Sequence, residues 1–178
     1  MIEKLARIKL VAIDVDGTFT DGTLFYDNDG NVIKGFFAHD GLGLELLKRA
    51  DIKHGFITGR NDNATKARAA YLGVDFHISG VGDKSVSMRK LFDEFSIDPS
   101  ESLYIGDDLN DLPAFALAGV SVAVANASEE VRKRADFVTV REGGKGAVRE
   151  AVEMILKAKN IDIVELWMSD KDRSVGMQ

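Results

Sequence analysis

The sequence predicts an α/β domain in which a parallel sheet is covered by helices on both faces, a three-layer Rossmann-like architecture. Short β-branched apolar runs alternate along the chain with segments of helical periodicity. The apolar runs are hydrophobic at nearly every position, as expected for strands that are buried on both faces of a parallel sheet. Motifs rich in Asp, Gly and Thr follow several of these runs, and ligands of such sheets bind at the carboxyl ends of the strands.

The first half of the chain predicts two strands, a hairpin and two helices. Asp-Gly at 29–30 supplies the turn of the hairpin, which spans 23–37. Asp40 is a plausible N-cap for the first helix, and Gly73 ends the second. In chain order the expected elements are a strand at 8–13, the hairpin, a helix opening at Asp40, a strand at 53–57 and a helix at 62–72.

The second half predicts further β-α alternation. Apolar side chains recur at helical spacing over 84–95, and Pro99 follows that segment. The expected elements are strands at 74–78, 103–105, 120–124 and 137–140, and helices at 84–95, up to Ala118, at 128–134 and at 147–158. A single domain over 1–160 is therefore predicted, followed by a tail over 161–178. We expect this tail to be frayed and favour that over its docking on a neighbouring subunit.

Composition narrows the classes of function. The 178 residues include 23 basic and 29 acidic side chains, a net charge of −6, with no stripe of Lys and Arg. A nucleic-acid partner is not expected. No apolar stretch is long enough for a membrane span and no signal pattern opens the chain, which favours a cytoplasmic protein without a membrane partner. The absence of cysteine excludes disulfides and thiolate ligands.

The motifs that carry chemistry all follow predicted strands. Asp14 and Asp16 follow the first, Thr58 the second and Lys84 the third, and Gly106-Asp107-Asp108-Leu109-Asn110-Asp111 follows the fourth. These loops share one edge of a parallel sheet. Five converging carboxylates would repel one another unless a cation neutralised them, and oxygen ligands without Cys or His favour Mg²⁺. Taken singly, the first motif could be a polar turn and the last a helix N-terminus.

With these four motifs in this order, the sequence resembles the haloacid dehalogenase superfamily of phosphotransferases over residues 8–158. The resemblance implies that Asp14 is the nucleophile and that Asp16 is the general acid/base. It implies Mg²⁺ bound by Asp14, by the main-chain carbonyl of Asp16 and by Asp107. Asp108 and Asp111 would support these ligands, Thr58 would hold a phosphoryl oxygen, and Lys84 would steady both the phosphate and Asp14.

No segment of the sequence is large enough to be a cap domain over this site. Within the superfamily, Thr20-Asp21-Gly22, His39-Asp40-Gly41-Leu42-Gly43, Thr58-Gly59-Arg60 and residues 143–150 resemble the capless 3-deoxy-D-manno-octulosonate (KDO) 8-phosphate phosphatases. This resemblance implies hydrolysis of a sugar acid phosphate that leads to a lipopolysaccharide precursor. It also implies a homotetramer assembled through the hairpin, with a site shared between subunits, although the hairpin could instead pack on its own sheet.

Three cations are candidates for substrate binding. Arg60 and Arg149 could form bidentate contacts with a sugar-acid carboxylate, and Lys145 lies in a glycine-rich loop that could bind an anion. Two alternatives are equally open: the arginines could simply be solvated at the surface, and the glycine-rich loop could be an ordinary turn that leads into a helix. The competing functions are a phosphatase for another sugar acid phosphate, such as 2-keto-3-deoxy-nonulosonate 9-phosphate, a non-catalytic oligomerisation module and a phospho-accepting receiver domain.

Overall fold

The computed structural model describes residues 1–169. Its main sheet has six strands, all parallel, in the order β5-β4-β1-β6-β7-β8, and β2 and β3 form a separate antiparallel hairpin. The strands are β1 (Leu10–Ile13), β2 (Phe25–Tyr26), β3 (Val32–Ile33), β4 (Lys53–Ile57), β5 (Phe76–Ile78), β6 (Ser102–Gly106), β7 (Val120–Ala123) and β8 (Phe137–Val138). The predicted parallel sheet and hairpin are confirmed.

Helices cover both faces of the sheet. They are α1 (Ile2–Ala6), α2 (Ala38–Arg49), α3 (Asn63–Leu72), α4 (Lys84–Phe95), α5 (Leu112–Phe115), α6 (Glu129–Arg132), α7 (Ala147–Ala158) and α8 (Ile163–Met168). On one face α2 contacts α3, α7 and α8, and α7 also contacts α1; α4 and α5 contact each other. Because strand crossovers are right-handed, α4 and α5 lie on the opposite face. The chain therefore folds into the expected three layers.

The order of the strands creates a switch point. From β1 the chain moves outward through β4 to β5, and it then returns to the other side of β1 to form β6, β7 and β8. β1 and β6 are neighbours in register, with Ile13 opposite Ile105. Both strands are buried along their whole length. The loops that leave β1 and β6 consequently diverge and open a crevice at their carboxyl ends, where ligands of such sheets bind.

The expected role of Asp40 as an N-cap is wrong. Helix α2 begins at Ala38, so Asp40 lies inside its first turn and is fully buried. Its carboxylate instead accepts hydrogen bonds from the backbone N–H groups of Gly146 (3.1 Å) and Arg149 (2.8 Å) at the start of α7. Free N–H groups at a helix start need acceptors, and here a neighbouring helix supplies one. Asp40 thus joins α2 to α7.

The C-terminal segment departs from the expected frayed tail. Residues Ile163–Met168 form α8, whose first turn is capped by Asp162. The guanidinium of Arg49 in α2 lies 4.3 Å from the centre of the Trp167 ring and donates a 3.1 Å hydrogen bond to the Trp167 carbonyl. A cation over an indole face is attracted by the ring electrons, so the segment docks on its own chain. The rest of the predicted tail, 170–178, lies outside the described residues.

Several boundaries also differ from expectation. The short helix α1 is absent from the predicted elements, and the helix expected to reach Ala118 ends at Phe115. The last strand ends at Val138 instead of Val140. These elements are only two to five residues long, and a periodic pattern is weak over so short a segment. Among residues 1–169, no helix combines the length and apolar character needed to cross a membrane.

Candidate active site

The loops after β1, β4 and β6 surround one cleft at the carboxyl edge of the sheet, beside the switch point. Its volume is about 400 Å³. The cleft brings together residues that are almost a hundred positions apart in the sequence. Its lining residues are Asp14, Asp16, Thr58, Gly59, Arg60, Asp107, Asp108, Leu109 and Asn110.

The loop after β1 is hydrogen-bonded to β6 and packs closely against the loop after β6. The backbone N–H of Asp14 donates a 2.9 Å hydrogen bond to the Ile105 carbonyl. Gly17 has a φ of +97°, which L side chains rarely adopt. A Cβ atom at Gly17 would also collide with the carboxylate of Asp107. Glycine at this position lets the two acidic loops meet.

The loop after β6 holds a carboxylate in the cleft and begins a helical turn. The hydroxyl of Thr18 donates a 3.2 Å hydrogen bond to Asp107 Oδ1. Asp108 caps the turn at 109–111, because its Oδ1 accepts a 2.8 Å hydrogen bond from the Leu109 N–H. Asp108 therefore does lie at a helix N-terminus, as one interpretation of the motif expects, whereas Asp107 faces the loop after β1.

Asp14, Asp107 and Asp111 form an acidic cluster in which one carboxylate oxygen of each lies within 4.8 Å of the others. Burial and the proximity of Asp111 raise the pKa of Asp14 well above its usual value. The same two causes raise the pKa of Asp107 to about 6. Buried carboxylates at such distances favour either protonation or a bound cation, so the cluster could hold a metal ion.

The oxygens of Asp111 are already occupied. Its Oδ1 accepts hydrogen bonds from Lys84 Nζ (2.6 Å) and from the Tyr104 hydroxyl (2.8 Å). Its Oδ2 accepts from the backbone N–H groups of Asp107 (2.8 Å) and Asp108 (3.2 Å). A carboxylate has about four acceptor positions, and all four are used. Asp14 and Asp107 are thus the members of the cluster that have acceptor positions free for a metal ion.

Lys84 links two carboxylates of the acidic cluster. It is the first residue of α4, whose N-cap is Asp83, and its side chain is buried. Its Nζ contacts Oδ1 of Asp14 and Oδ1 of Asp111. Burial disfavours the ammonium, but the two carboxylates outweigh it and raise the pKa of Lys84. A permanent positive charge therefore lies against Asp14.

Thr58 and Arg60 form the side of the cleft that follows β4. Thr58 is buried, and its hydroxyl oxygen accepts a 3.2 Å hydrogen bond from the Arg60 N–H. The guanidinium of Arg60 is about half exposed, and its Nε lies 3.5 Å from Asp16 Oδ2. The cleft consequently contains a hydroxyl group and a half-exposed cation as well as the acidic side chains.

Two residues next to the site were missed by the sequence reasoning. Lys34, just after β3, places its Nζ 2.7 Å from Asp16 Oδ1 and 2.7 Å from Asp62 Oδ2. Tyr104 donates to Asp111 from the middle of β6. The one available signal for Lys34 was a lysine among the apolar residues at the end of the hairpin. Its partners, Asp16 and Asp62, are both distant from it in the sequence. Tyr104 had no such signal, because a tyrosine is an ordinary residue in a strand.

Two of the predicted substrate-binding residues do not line this cleft. Lys145 is exposed and its Nζ pairs with Glu142 at 2.7 Å. Arg149 Nε pairs with Glu153 at 2.7 Å along α7. The loop that carries Lys145 does pack on the loop after β1, because a Cβ at Gly143 would collide with the Gly17 carbonyl. Substrate contact by Lys145 and Arg149 remains a prediction.

Comparison with known proteins places the chain among phosphatases. A family model described as haloacid dehalogenase-like hydrolase matches residues 77–152. The KDO 8-phosphate phosphatase of Haemophilus influenzae is 43% identical over 159 residues, which cover 89% of this chain and 88% of the relative.

Solved structures agree with that relationship. The KDO 8-phosphate phosphatase of Yersinia pestis superposes with a TM-score of 0.87 at 40% identity, covering 89% of this chain and 86% of that one. The corresponding enzyme of Moraxella catarrhalis, solved with magnesium, phosphate and KDO, has a TM-score of 0.87 and 43% identity, covering 89% and 91%. The chain therefore belongs to the 3-deoxy-D-manno-octulosonate 8-phosphate phosphatase family of haloacid dehalogenase-like hydrolases.

Proposed function

We propose that this protein is a Mg²⁺-dependent phosphatase that hydrolyses KDO 8-phosphate to KDO and inorganic phosphate. The observation that carries the proposal is the acidic cluster at the switch point, with the Lys84 ammonium against Asp14. A nucleophilic carboxylate beside a metal site and a fixed cation suits transfer of a phosphoryl group, whose transition state carries charge on its equatorial oxygens.

The donor set fits magnesium. Asp14 and Asp107 have free carboxylate oxygens, and we assign the main-chain carbonyl of Asp16 as the third protein ligand. Hard oxygen donors of this kind match Mg²⁺. Asp111 and Asp108 take the supporting role, Asp111 by holding Lys84 and the backbone of the loop. When bound, the ion would neutralise the carboxylates and let an anionic phosphate approach Asp14.

Asp14 is the proposed nucleophile. Its carboxylate would attack phosphorus to form an aspartyl-phosphate while the bond to the sugar oxygen breaks. The ammonium of Lys84 favours the ionised form of Asp14 against the effect of burial and faces the position where phosphoryl charge develops. The buried hydroxyl of Thr58 would donate to a phosphoryl oxygen from the opposite wall.

Asp16 is the proposed general acid and base. In the first step its protonated carboxyl would give a proton to the leaving sugar oxygen. In the second step its carboxylate would take a proton from the water that attacks the aspartyl-phosphate, which restores Asp14 and releases phosphate. Asp16 lines the cleft beside Asp14, so one side chain forms the covalent bond and its neighbour handles protons.

The substrate class follows from the family and from the open cleft. The β1–α2 connection contains only the hairpin, and the β4–α4 connection only α3, β5 and short loops, so no cap covers the site within residues 1–169. Arg60 lines the cleft, where its guanidinium would bind a sugar-acid carboxylate. Lys145 and Arg149 would act on substrate from farther away, in this subunit or in a neighbour.

We further propose a cytoplasmic homotetramer in which a neighbouring subunit helps to close each site. Phe25, Tyr26 and Ile33 of the hairpin are 59%, 59% and 53% exposed, and a patch of large apolar side chains favours association. In this proposal the chain consists of one phosphatase domain over 1–160 and a C-terminal tail over 161–178. The hairpin 23–37 within the domain would form the contacts between subunits.

Phosphate release from a panel of sugar acid phosphates, with Mg²⁺ and with excess chelator, tests this function. We expect the highest kcat/KM for KDO 8-phosphate and no turnover with the chelator. A higher kcat/KM for 2-keto-3-deoxy-nonulosonate 9-phosphate would assign the enzyme to that substrate. Failure to hydrolyse any ester in the panel would favour a non-catalytic oligomerisation module.

A further inference from the structure

The mechanism proposed above gives no role to the buried ammonium of Lys34. The residue is 8% exposed, and its Nζ is surrounded by three oxygen atoms. It donates to Asp62 Oδ2 at 2.7 Å and to the Thr65 hydroxyl at 3.0 Å. Its third neighbour is Asp16 Oδ1, also at 2.7 Å. The ammonium therefore makes two hydrogen bonds, to Asp62 and Thr65, and one ion pair, with Asp16.

Two of these neighbours form an anchor that does not depend on Asp16. Asp62 is the N-cap of α3, and its Oδ1 accepts a 2.8 Å hydrogen bond from the Thr65 N–H. The Thr65 hydroxyl donates to Asp62 Oδ2 at 3.2 Å. The start of a ten-residue helix thus fixes both oxygens that hold Lys34. The ammonium has a defined position whether or not Asp16 contacts it.

Asp16 has much weaker support of its own. It lies in the irregular loop after β1. Its Oδ1 is buried and has no hydrogen-bond partner among the described residues, and its contact with Lys34 Nζ is an ion pair of 2.7 Å. Its Oδ2 lies 3.5 Å from Arg60, whose side chain is 49% exposed, whereas that of Lys34 is 0% exposed. Exposed ion pairs hold geometry weakly, so Lys34 is the firmer restraint.

We propose that Lys34 is a positioning residue that holds the carboxyl group of Asp16 where it can exchange protons with the leaving sugar oxygen and the attacking water. The inference rests on the proposed function, in which Asp16 gives one proton and then takes one back. Lys34 keeps its three protons throughout and forms no bond to substrate. Orientation of a proton donor matters because the proton moves over hydrogen-bond distance.

This role differs from a purely structural one in its dependence on the leaving group. A sugar alcohol leaves only with a proton from Asp16, whereas p-nitrophenolate leaves without one. Hydrolysis of the aspartyl-phosphate requires Asp16 with either ester. A displaced Asp16 should therefore slow both steps for KDO 8-phosphate but only the second step for p-nitrophenyl phosphate.

Rapid-mixing and steady-state kinetics of Lys34→Met test the proposal, with Lys66→Met, an exposed lysine of α3, as control. We expect kcat for KDO 8-phosphate to fall by about 10- to 100-fold and KM to change by less than about threefold. With p-nitrophenyl phosphate, a burst near one equivalent of nitrophenolate per site should precede slow turnover. Lys34→Arg should recover part of the loss, and Lys66→Met should match the wild type.

Equal loss of burst and steady-state rates for both esters, a change confined to KM, or wild-type kinetics in Lys34→Met would each overturn the proposal. If Lys34→Met does not fold, Asp62→Asn replaces it, since asparagine still caps a helix but removes the charge that holds Lys34. Wild-type kinetics in Asp62→Asn would then be the contrary result. A wild-type protein that hydrolyses neither ester would instead contradict the proposed function itself.

Discussion

The hydroxyl group of Tyr104 donates a 2.8 Å hydrogen bond to Asp111 Oδ1, the same oxygen that Lys84 contacts. All three side chains are buried. Burial and the neighbouring Asp111 raise the pKa of Tyr104 well above its usual value, so the hydroxyl stays protonated and acts as a donor. A core strand thereby supports the carboxylate that holds Lys84 against the proposed nucleophile.

We expect Tyr104→Phe to lower the free energy of unfolding by about 1–2 kcal/mol, because a buried carboxylate loses one hydrogen bond. The catalytic rate should also fall, since Lys84 is then held by a less constrained partner. Urea unfolding and kcat would measure both effects. Tyr71→Phe, at a residue that is 75% exposed, is the matched control. Unchanged stability would mean that the Tyr104 contact contributes nothing.

Asp14→Asn should reduce phosphatase activity by at least about 1,000-fold, because an amide cannot attack phosphorus to form the aspartyl-phosphate. The fold and the assembly should remain, since the substitution removes a repelling charge from the acidic cluster. Phosphate release and sedimentation would be compared with Asp93→Asn, an exposed position on α4. Substantial turnover by Asp14→Asn would eliminate the covalent mechanism.

Asp107→Asn should stabilise the metal-free protein at pH 8. The pKa of Asp107 is raised to about 6 in the fold, above its unfolded value of about 4. The folded state therefore binds more protons between these pH values, and its stability declines as pH rises through that window. We expect the variant to gain about 1–3 kcal/mol above pH 6 and almost nothing at pH 4.

Urea unfolding at the two pH values would measure this gain, with Asp93→Asn, at an exposed position on α4, as control. Mg²⁺ should stabilise the wild type, because an ion that binds only the folded state shifts the unfolding equilibrium, and it should stabilise Asp107→Asn far less. A variant that is less stable than the wild type at pH 8 without metal would show that the Asp107 carboxylate is not destabilising.

Phe25→Asp combined with Val32→Asp should dissociate the proposed assembly and lower activity. The charges would disrupt the apolar surface of the hairpin, and Lys34 follows directly after β3, so movement of the hairpin would also disturb Asp16. Sedimentation and kcat would be measured beside Val86→Asp, an exposed apolar position on α4. A fully active monomer would contradict the shared site.

The order of the main strands and helices could be predicted from local sequence patterns, and so could the loops that carry Asp14, Thr58 and Asp107 to one edge of the sheet. Local patterns sufficed for this, because an apolar run followed by Asp14 or Asp107 marks a strand end, and parallel strand ends share one edge. The helix α7, with its strong apolar periodicity, has the predicted bounds 147–158. The loops that line the cleft could therefore be predicted from sequence, and the catalytic roles of their residues stay predictions.

The partners of those residues become visible only in the folded chain. Asp40 resembles a cap for its own helix but accepts hydrogen bonds from the start of α7. The sequence predicts a supporting role for Asp111, and only the folded chain shows that its carboxylate contacts Lys84, Tyr104 and two backbone N–H groups. Lys34 meets Asp16 only because the hairpin folds back over α3. Contacts between residues far apart in the chain arise when whole helices and strands pack together, so local sequence patterns cannot predict them.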